Sequence, residues 1–212
     1  GSAGLLAGTG KVRKIIFESI IMPNIDDPRL KLPQCDFLQP VITVHENPWF
    51  SVKNRGGYFT FEDNTPQVII LPIVDNKSFV MVEIQRPVIA DNTIELPAGG
   101  TNKNETPIFA AARELYEETG ILVSDLQRFQ ILPPLVYMVR NPILPYIFQV
   151  HITKQEYDLK SDHDGEILSV GCFEFGEVLA KILSGEILIG LQIAIITRYL
   201  MNNAVHSFYL LK

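Results

Sequence analysis

The stretch GGTNKNETPIFAAARELYEETGI, residues 99–121, decides how this chain is read. It passes from a Gly-Gly pair through a short polar loop into a helix start and closes on Gly120-Ile121. Thr106 suits an N-cap, and Pro107 suits the first helical position, where a missing N–H costs nothing. Gly120 stands where a helix end favours a left-handed residue. The spacing therefore predicts a helix over 107–119. Ile108, Ala111, Ala112 and Leu115 form its apolar stripe. Glu114, Glu117 and Glu118 fall at i, i+3 and i+4 and share one exposed face. Like charges at that spacing destabilise a helix by roughly 0.2–0.5 kcal/mol per pair. A divalent cation reverses the sign, because hard cations collect carboxylate oxygens.

The rest of the chain bounds what this helix can serve. With 212 residues, 47% of them hydrophobic and 20% charged, the chain can bury a substantial core without staples. The net charge of −6 argues against binding a nucleic-acid polymer, which calls for a basic face. A single nucleotide stays compatible, since a metal ion neutralises phosphate locally. Cys35 and Cys172 are the only cysteines and neither sits in a CxxC pattern, so thiols in a reducing compartment are expected. No apolar run is long enough to span a bilayer, and no basic region precedes an apolar segment at the start. The expectation is a cytoplasmic protein without membrane contact.

Read in order, Lys14 to Met22 has the pattern of a strand, and Pro23 to Pro40 that of a loop-rich connector. Val41 to Val52 reads as one strand that turns at Gly56-Gly57 into a second, Tyr58 to Phe61, making a hairpin. Val68 to Val74 is a continuous β-branched run suited to a central buried strand. Ser78 to Ile84 returns after a tight Asp75-Asn76-Lys77 turn, and Thr93 to Leu96 leads into Gly99. Beyond the helix, Leu122 to Leu132 holds a further strand, and prolines bracket a long loop up to Pro145. Strands follow over 145–153 and 168–173, then helices over 175–183 and 191–201. Strands, a helix, more strands and two helices, with little βαβ alternation, indicate an α+β fold with a mixed sheet.

Gly99, Glu105, Arg113, Glu114, Leu115, Glu117, Glu118, Gly120 and Ile121 stand in the register of the Nudix hydrolase box, and the chain resembles that family. From about residue 41 to 203 it is similar to the ADP-ribose pyrophosphatase branch. The carriers are the lead-in Glu95-Leu96-Pro97-Ala98-Gly99-Gly100, the Asn47-Pro48-Trp49 segment with its hairpin, the Gln85-Arg86 pair, and the acidic loop ending in Gly165-Glu166. One stretch departs from the branch. Where a Ser-Pro-Gly segment and an acidic residue are usual, this chain has Val139-Arg140-Asn141-Pro142-Ile143-Leu144-Pro145.

The resemblance implies an α/β/α sandwich around a mixed sheet with an N-terminal β extension. It places the extension at 1–62, for dimerisation and base binding, and the hydrolase domain at 63–212. It implies Mg²⁺ or Mn²⁺ held by Glu114, Glu117, Glu118 and the Ala98 carbonyl. Glu105 then supports the site and Arg113 orients the glutamates, or Arg113 contacts phosphate directly. Glu166 is the implied general base, with Asp162 and Asp164 as rivals and His163 as plain loop. Trp49 stacks on a base, or packs the hairpin or the dimer; Arg86 and Arg140 meet the diphosphate or the terminal sugar, or are surface charges. The implied substrate is ADP-ribose or a related nucleoside diphosphate sugar, and the implied assembly is a homodimer. A dinucleoside polyphosphate or oxidised nucleotide is an alternative substrate, with Tyr137 a loose pointer to the former. A non-catalytic nucleotide sensor is another reading.

Overall fold

The computed structural model describes residues 38–209. The strand expected over 14–22 lies outside that range, as do all but the last three residues of the expected connector over 23–40. The architecture is organised by β4 (Gln67–Val74), the continuous apolar run, which lies inside a seven-stranded sheet. It pairs in parallel with β9 (Tyr146–Ile152) along its length. On its other side it pairs antiparallel with β5 (Ser78–Arg86) at their shared turn and with β7 (Ala98–Gly100) at its opposite end. Asp75 and Asn76 take left-handed conformations in that turn, with φ of 47° and 56°. β5 carries β6 (Ala90–Glu95) and β10 (Ile167–Glu174), and β8 (Gln130–Leu132) closes the far edge beside β9. The sheet is mixed, as the order of elements indicated.

Alternation along β4 sorts the two cores. Val68, Ile70 and Val74 face α1 (Pro107–Thr119), whose Ile108, Ala111, Ala112 and Leu115 are buried against them. Ile69, Leu71 and Ile73 face the other way, onto α3 (Phe175–Ser184) and α4 (Gly190–Tyr209) through Val178, Ile195 and Ile196. This is a three-layer α/β/α sandwich with a strand buried on both faces, which is why β4 shows no polar alternation. Burying each of Ile108 and Leu115 contributes about 1.5–3 kcal/mol, enough to outweigh the repulsion on the glutamate face. Among the described residues no helix is long and apolar enough to cross a membrane.

A separate three-stranded antiparallel sheet holds β1 (Val41–Glu46), β2 (Phe50–Arg55) and β3 (Tyr58–Asp63). The single strand expected over 41–52 is therefore two. Pro48 supplies no N–H to a ladder. The Asn47 Oδ1 accepts from both Trp49 N and Phe50 N at 2.9 Å, closing a turn between the strands. The β2–β3 hairpin at Gly56-Gly57 forms as expected. The segment 122–132 holds the expected further strand, but only at its end. The Asp125 side chain accepts from Gln127 N and caps a 3₁₀ turn (Leu126–Arg128), leaving only the three residues of β8 as strand. A short helix absent from the sequence reading, α2 (Lys154–Asp158), is held by a Thr153/Glu156 capping box.

Candidate active site

The glutamate face of α1 is assembled around one cation. Helix α1 has the predicted limits, with Thr106 in extended conformation at the N-cap position and Gly120 left-handed at the C-terminus, φ 73°. Thr106 makes no capping hydrogen bond through its side chain, so Pro107 and the packed apolar stripe start this helix. From its middle, Arg113 donates through Nε and Nη2 to the two Glu105 carboxylate oxygens, both at 2.9 Å. Its Nη2 also reaches the Gly100 carbonyl at 2.8 Å. Its Nη1 bridges Glu114 at 2.7 Å and Glu117 at 2.8 Å. Burial works against the charged guanidinium, but the bond to Glu105, the charge of Glu114 and the bonds to Glu117 and Glu114 outweigh it and raise the Arg113 pKa. The acidic face is thus half-buried, not exposed as the pattern alone suggested. An internal arginine moderates its repulsion.

Glu118 is the exception. It accepts from the Ala98 N–H at 2.9 Å and has no bond to Arg113 among those the structure forms. Burial first, then the neighbouring charges of Glu114 and Glu95, push its carboxyl up to about 8 against the opposing Ala98 hydrogen bond. Burial likewise raises the Glu114 carboxyl, partly offset by Arg113. A Cβ on Gly99 would lie 2.2 Å from the Glu114 carboxyl carbon, so a side chain there would push that carboxyl out of its present position. Among the described residues no three His, Cys, Asp or Glu side chains already converge as a metal cage. The donor set still fits a hard divalent cation: adjacent carboxyls on one helix, two of them made reluctant to ionise by burial, beside a glycine turn.

The loops bring in part of the remaining candidate set. The Asp164 N–H donates to the Glu117 carbonyl at 2.8 Å and the Ser161 N–H to the Gly120 carbonyl at 3.0 Å. This lays the 161–166 loop along the C-terminal end of α1, with Glu166 exposed at its end. Arg86 forms a two-pronged pair with Glu95 at 2.9 and 3.2 Å. That pair raises the Arg86 pKa despite burial, and the charges of Glu118 and Glu166 add to it. Arg86 therefore belongs to the same electrostatic neighbourhood as the helix and the loop.

Trp49 and Arg140 belong to the three-stranded sheet instead. Trp49 is 75% exposed at the β1–β2 turn. Arg140 donates to the Phe59 carbonyl at 3.0 Å and lies 4.4 Å over the Tyr58 ring, while its carbonyl accepts from Phe61 N. Tyr137 donates to Asp63 at 2.9 Å and Asn141 donates to the same carboxylate at 2.8 Å. The loop that departs from the branch pattern thus ties this small sheet to the rest of the chain. A cavity of about 340 Å³ opens there, lined by Thr43, Ser51, Lys53, Glu62, Asn64 and Ile143 among others. Asn64 also bonds the Asn47 and Trp49 carbonyls, so the cavity adjoins the Trp49 turn. The Gly100 carbonyl that Arg113 meets lies in the lead-in already singled out, whereas Gln192, which reaches Glu95 from α4, was not marked by the sequence. Gln192 stands in no motif and acts through a contact across 97 positions of chain.

Residues 63–187 match the NUDIX domain family. A 61-residue stretch, 29% of this chain, is 36% identical to the ADP-ribose pyrophosphatase of Bacillus subtilis (strain 168) and covers 33% of it. A 53-residue stretch, 25% of this chain, is 42% identical to the methanol dehydrogenase activator of Bacillus methanolicus and covers 29% of it. The aligned stretches span about a third of the length of these relatives. The family match takes in β4, the glutamate helix, the acidic loop and α3 together, over more than half of the sequence, and on that ground the chain belongs to the Nudix domain family.

Proposed function

We propose that this protein hydrolyses the diphosphate bond of ADP-ribose or a related nucleoside diphosphate sugar, giving a nucleoside monophosphate and a sugar phosphate. The observation that carries the reading is the half-buried set of Glu114, Glu117 and Glu118 beneath the Ala98–Gly100 turn. The similarity of one segment to an ADP-ribose pyrophosphatase supports the choice of substrate class.

In this reading Glu114, Glu117, Glu118 and the Ala98 carbonyl hold Mg²⁺ or Mn²⁺. The ion, when bound, neutralises the diphosphate and acidifies a water. The protein's own groups do the rest. Arg113 keeps Glu105, Glu114 and Glu117 in fixed rotamers, and Glu105 is itself pinned by the Asn102 N–H at 2.8 Å. Glu166 takes the proton from the attacking water, its loop located by the bonds to Glu117 and Gly120. Arg86 meets the diphosphate, since it sits within the electrostatic reach of Glu118 and Glu166. Trp49 stacks on the base, for which the adjoining 340 Å³ cavity is of suitable size. Arg140 orders the small sheet and, through it, the far end of the substrate.

Residues 1–62 serve as an extension for dimerisation and base binding, and 63–212 as the hydrolase domain. The dimer packs or exchanges N-terminal strands; β1, exposed along its whole length with Ile42 and Val44 uncovered, supports this. A cytoplasmic site of action accords with the substrate class. The test is incubation of the protein with Mg²⁺ and a panel of nucleotides, with product analysis. ADP-ribose should give AMP and ribose 5-phosphate, and Glu118→Gln should abolish this. No turnover of any diphosphate would overturn the reading, and unchanged turnover by Glu118→Gln would overturn the metal assignment. Light scattering at micromolar concentration should give the dimer mass.

A further inference from the structure

Strand β6 ends at Glu95 and β7 begins at Ala98, so Leu96 and Pro97 must place their backbone polar groups outside a continuous ladder. Pro97 has no N–H, and its carbonyl accepts from Ile70 N at 2.9 Å. The Ala98 N–H goes to Glu118. That leaves the Leu96 N–H, which donates to the Gln192 Oε1 at 2.6 Å. Gln192 is 4% exposed and comes from α4, on the opposite face of the sheet from α1. Its Nε2 donates to Glu95 at 3.2 Å. Glu95 is 6% exposed and also accepts from Thr93 Oγ1 at 2.5 Å and from Arg86. Around Gln192 the helix buries Ile195 and Ile196 in an apolar cluster. A methionine would fill such a place equally well, so packing alone gives no reason for a buried amide there.

We propose that Gln192 is a positioning residue for the metal-binding turn: its amide holds Leu96 and Glu95 from behind the sheet, so that Ala98 meets Glu118 and Arg86 faces the site. This rests on the hydrolase reading above. The side chain touches neither the helix glutamates nor any reacting atom, and it acts through the turn between β6 and β7. Supporting groups of this kind, one bond removed from a metal site, typically change metal affinity or activity by about 10- to 100-fold when removed.

The test uses the full chain with Gln192→Met. Titration calorimetry with Mn²⁺ alone, without nucleotide, reads the turn's effect on the glutamates. Steady-state turnover of ADP-ribose with Mg²⁺ reads its effect on kcat and KM, and thermal melting confirms the fold. Mn²⁺ affinity and kcat should both fall about 10- to 100-fold with KM less affected. The Ala98 amide should lose hydrogen-exchange protection. If the methionine variant does not fold, Gln192→Asn carries the test with the same expected losses, because its amide is one carbon too short to reach both partners. A folded variant with unchanged Mn²⁺ affinity and turnover overturns the proposal, as does a lowered melting temperature with unchanged Mn²⁺ affinity. If the wild type turns over no nucleotide while Gln192→Met still weakens Mn²⁺ binding, the hydrolase reading falls and the positioning role stands.

Discussion

Replacing Arg113 by Met keeps the length of the aliphatic stem and removes the one cation that three carboxylates share. In the structure the Arg113 side chain is 16% exposed, and its partners Glu105, Glu114 and Glu117 are 9%, 13% and 31% exposed. Breaking a fully buried ion pair by deleting one partner costs about 3–5 kcal/mol. Glu117 is wet enough to find water, which screens part of the loss, whereas Glu105 and Glu114 are not. The expected destabilisation in EDTA is therefore about 3 kcal/mol, or a melting temperature lower by roughly 6–12 °C for a protein of this size. Arg113→Lys keeps the charge but loses the fork that spans Glu105 and the Gly100 carbonyl, and should fall between the two.

The metal supplies the second half of this prediction. In the variant no guanidinium competes for Glu114 and Glu117, so added Mg²⁺ meets bare carboxylates. At about 100 times its dissociation constant a bound ion stabilises by about 2.7 kcal/mol. Mg²⁺ should thus restore most of the variant's deficit and raise its stability by more than it raises that of the wild type. Urea unfolding followed by fluorescence of Trp49, with EDTA and with saturating Mg²⁺, measures all of these quantities. A loss in EDTA below about 1 kcal/mol, or a Mg²⁺ increment no larger than the wild type's, refutes the reasoning.

Two further perturbations follow from other parts of the molecule. Glu156 is paired with Arg128 at 2.6 Å and caps α2. The Arg128 bond outweighs burial and, with the Thr153 bonds, holds its carboxyl down at about 2. A depressed folded pKa means stability present above the unfolded value near 4.5 and lost as pH falls through 2. Both side chains are about a third exposed, so Glu156→Gln should cost only about 1 kcal/mol at pH 7, shrinking to nothing towards pH 2 in denaturant melts across that range. Gly120→Ala places a Cβ 1.9 Å from the Ser161 carbonyl oxygen at a φ of 73°. It should cost at least about 1–2 kcal/mol and lower kcat by displacing the Glu166 loop; a neutral substitution in melting and turnover would contradict this placement.

Elements carried by local chemistry were legible. The limits of α1 follow from Pro107, Gly120 and a 3.6-residue period, and the β4 run reads as buried because both its faces are apolar. Segments that local chemistry left balanced were not. Val41 to Val52 is strand-like on both sides of Asn47-Pro48, and the missing Pro48 N–H together with the Asn47 side chain closing on Trp49 and Phe50 divides it into two strands. Within Leu122 to Leu132 the strand is confined to the last three residues, because the Asp125 cap sets a 3₁₀ turn before it. Thr153 and Glu156 form a capping box that the sequence pattern contains, yet α2 is too short for any period to announce it.

The sequence by itself determined the family register, the helix that bears Glu114, Glu117 and Glu118, and the mixed α+β character, because spacing along a helix is a local property. Only the tertiary structure decided what those residues face. It gave Arg113 to four groups at once, paired Arg86 with Glu95, turned Arg140 onto Tyr58, and brought Gln192 to Leu96 across 96 positions of chain. Such contacts are set by how layers pack, and a buried donor takes whichever acceptor the packing delivers.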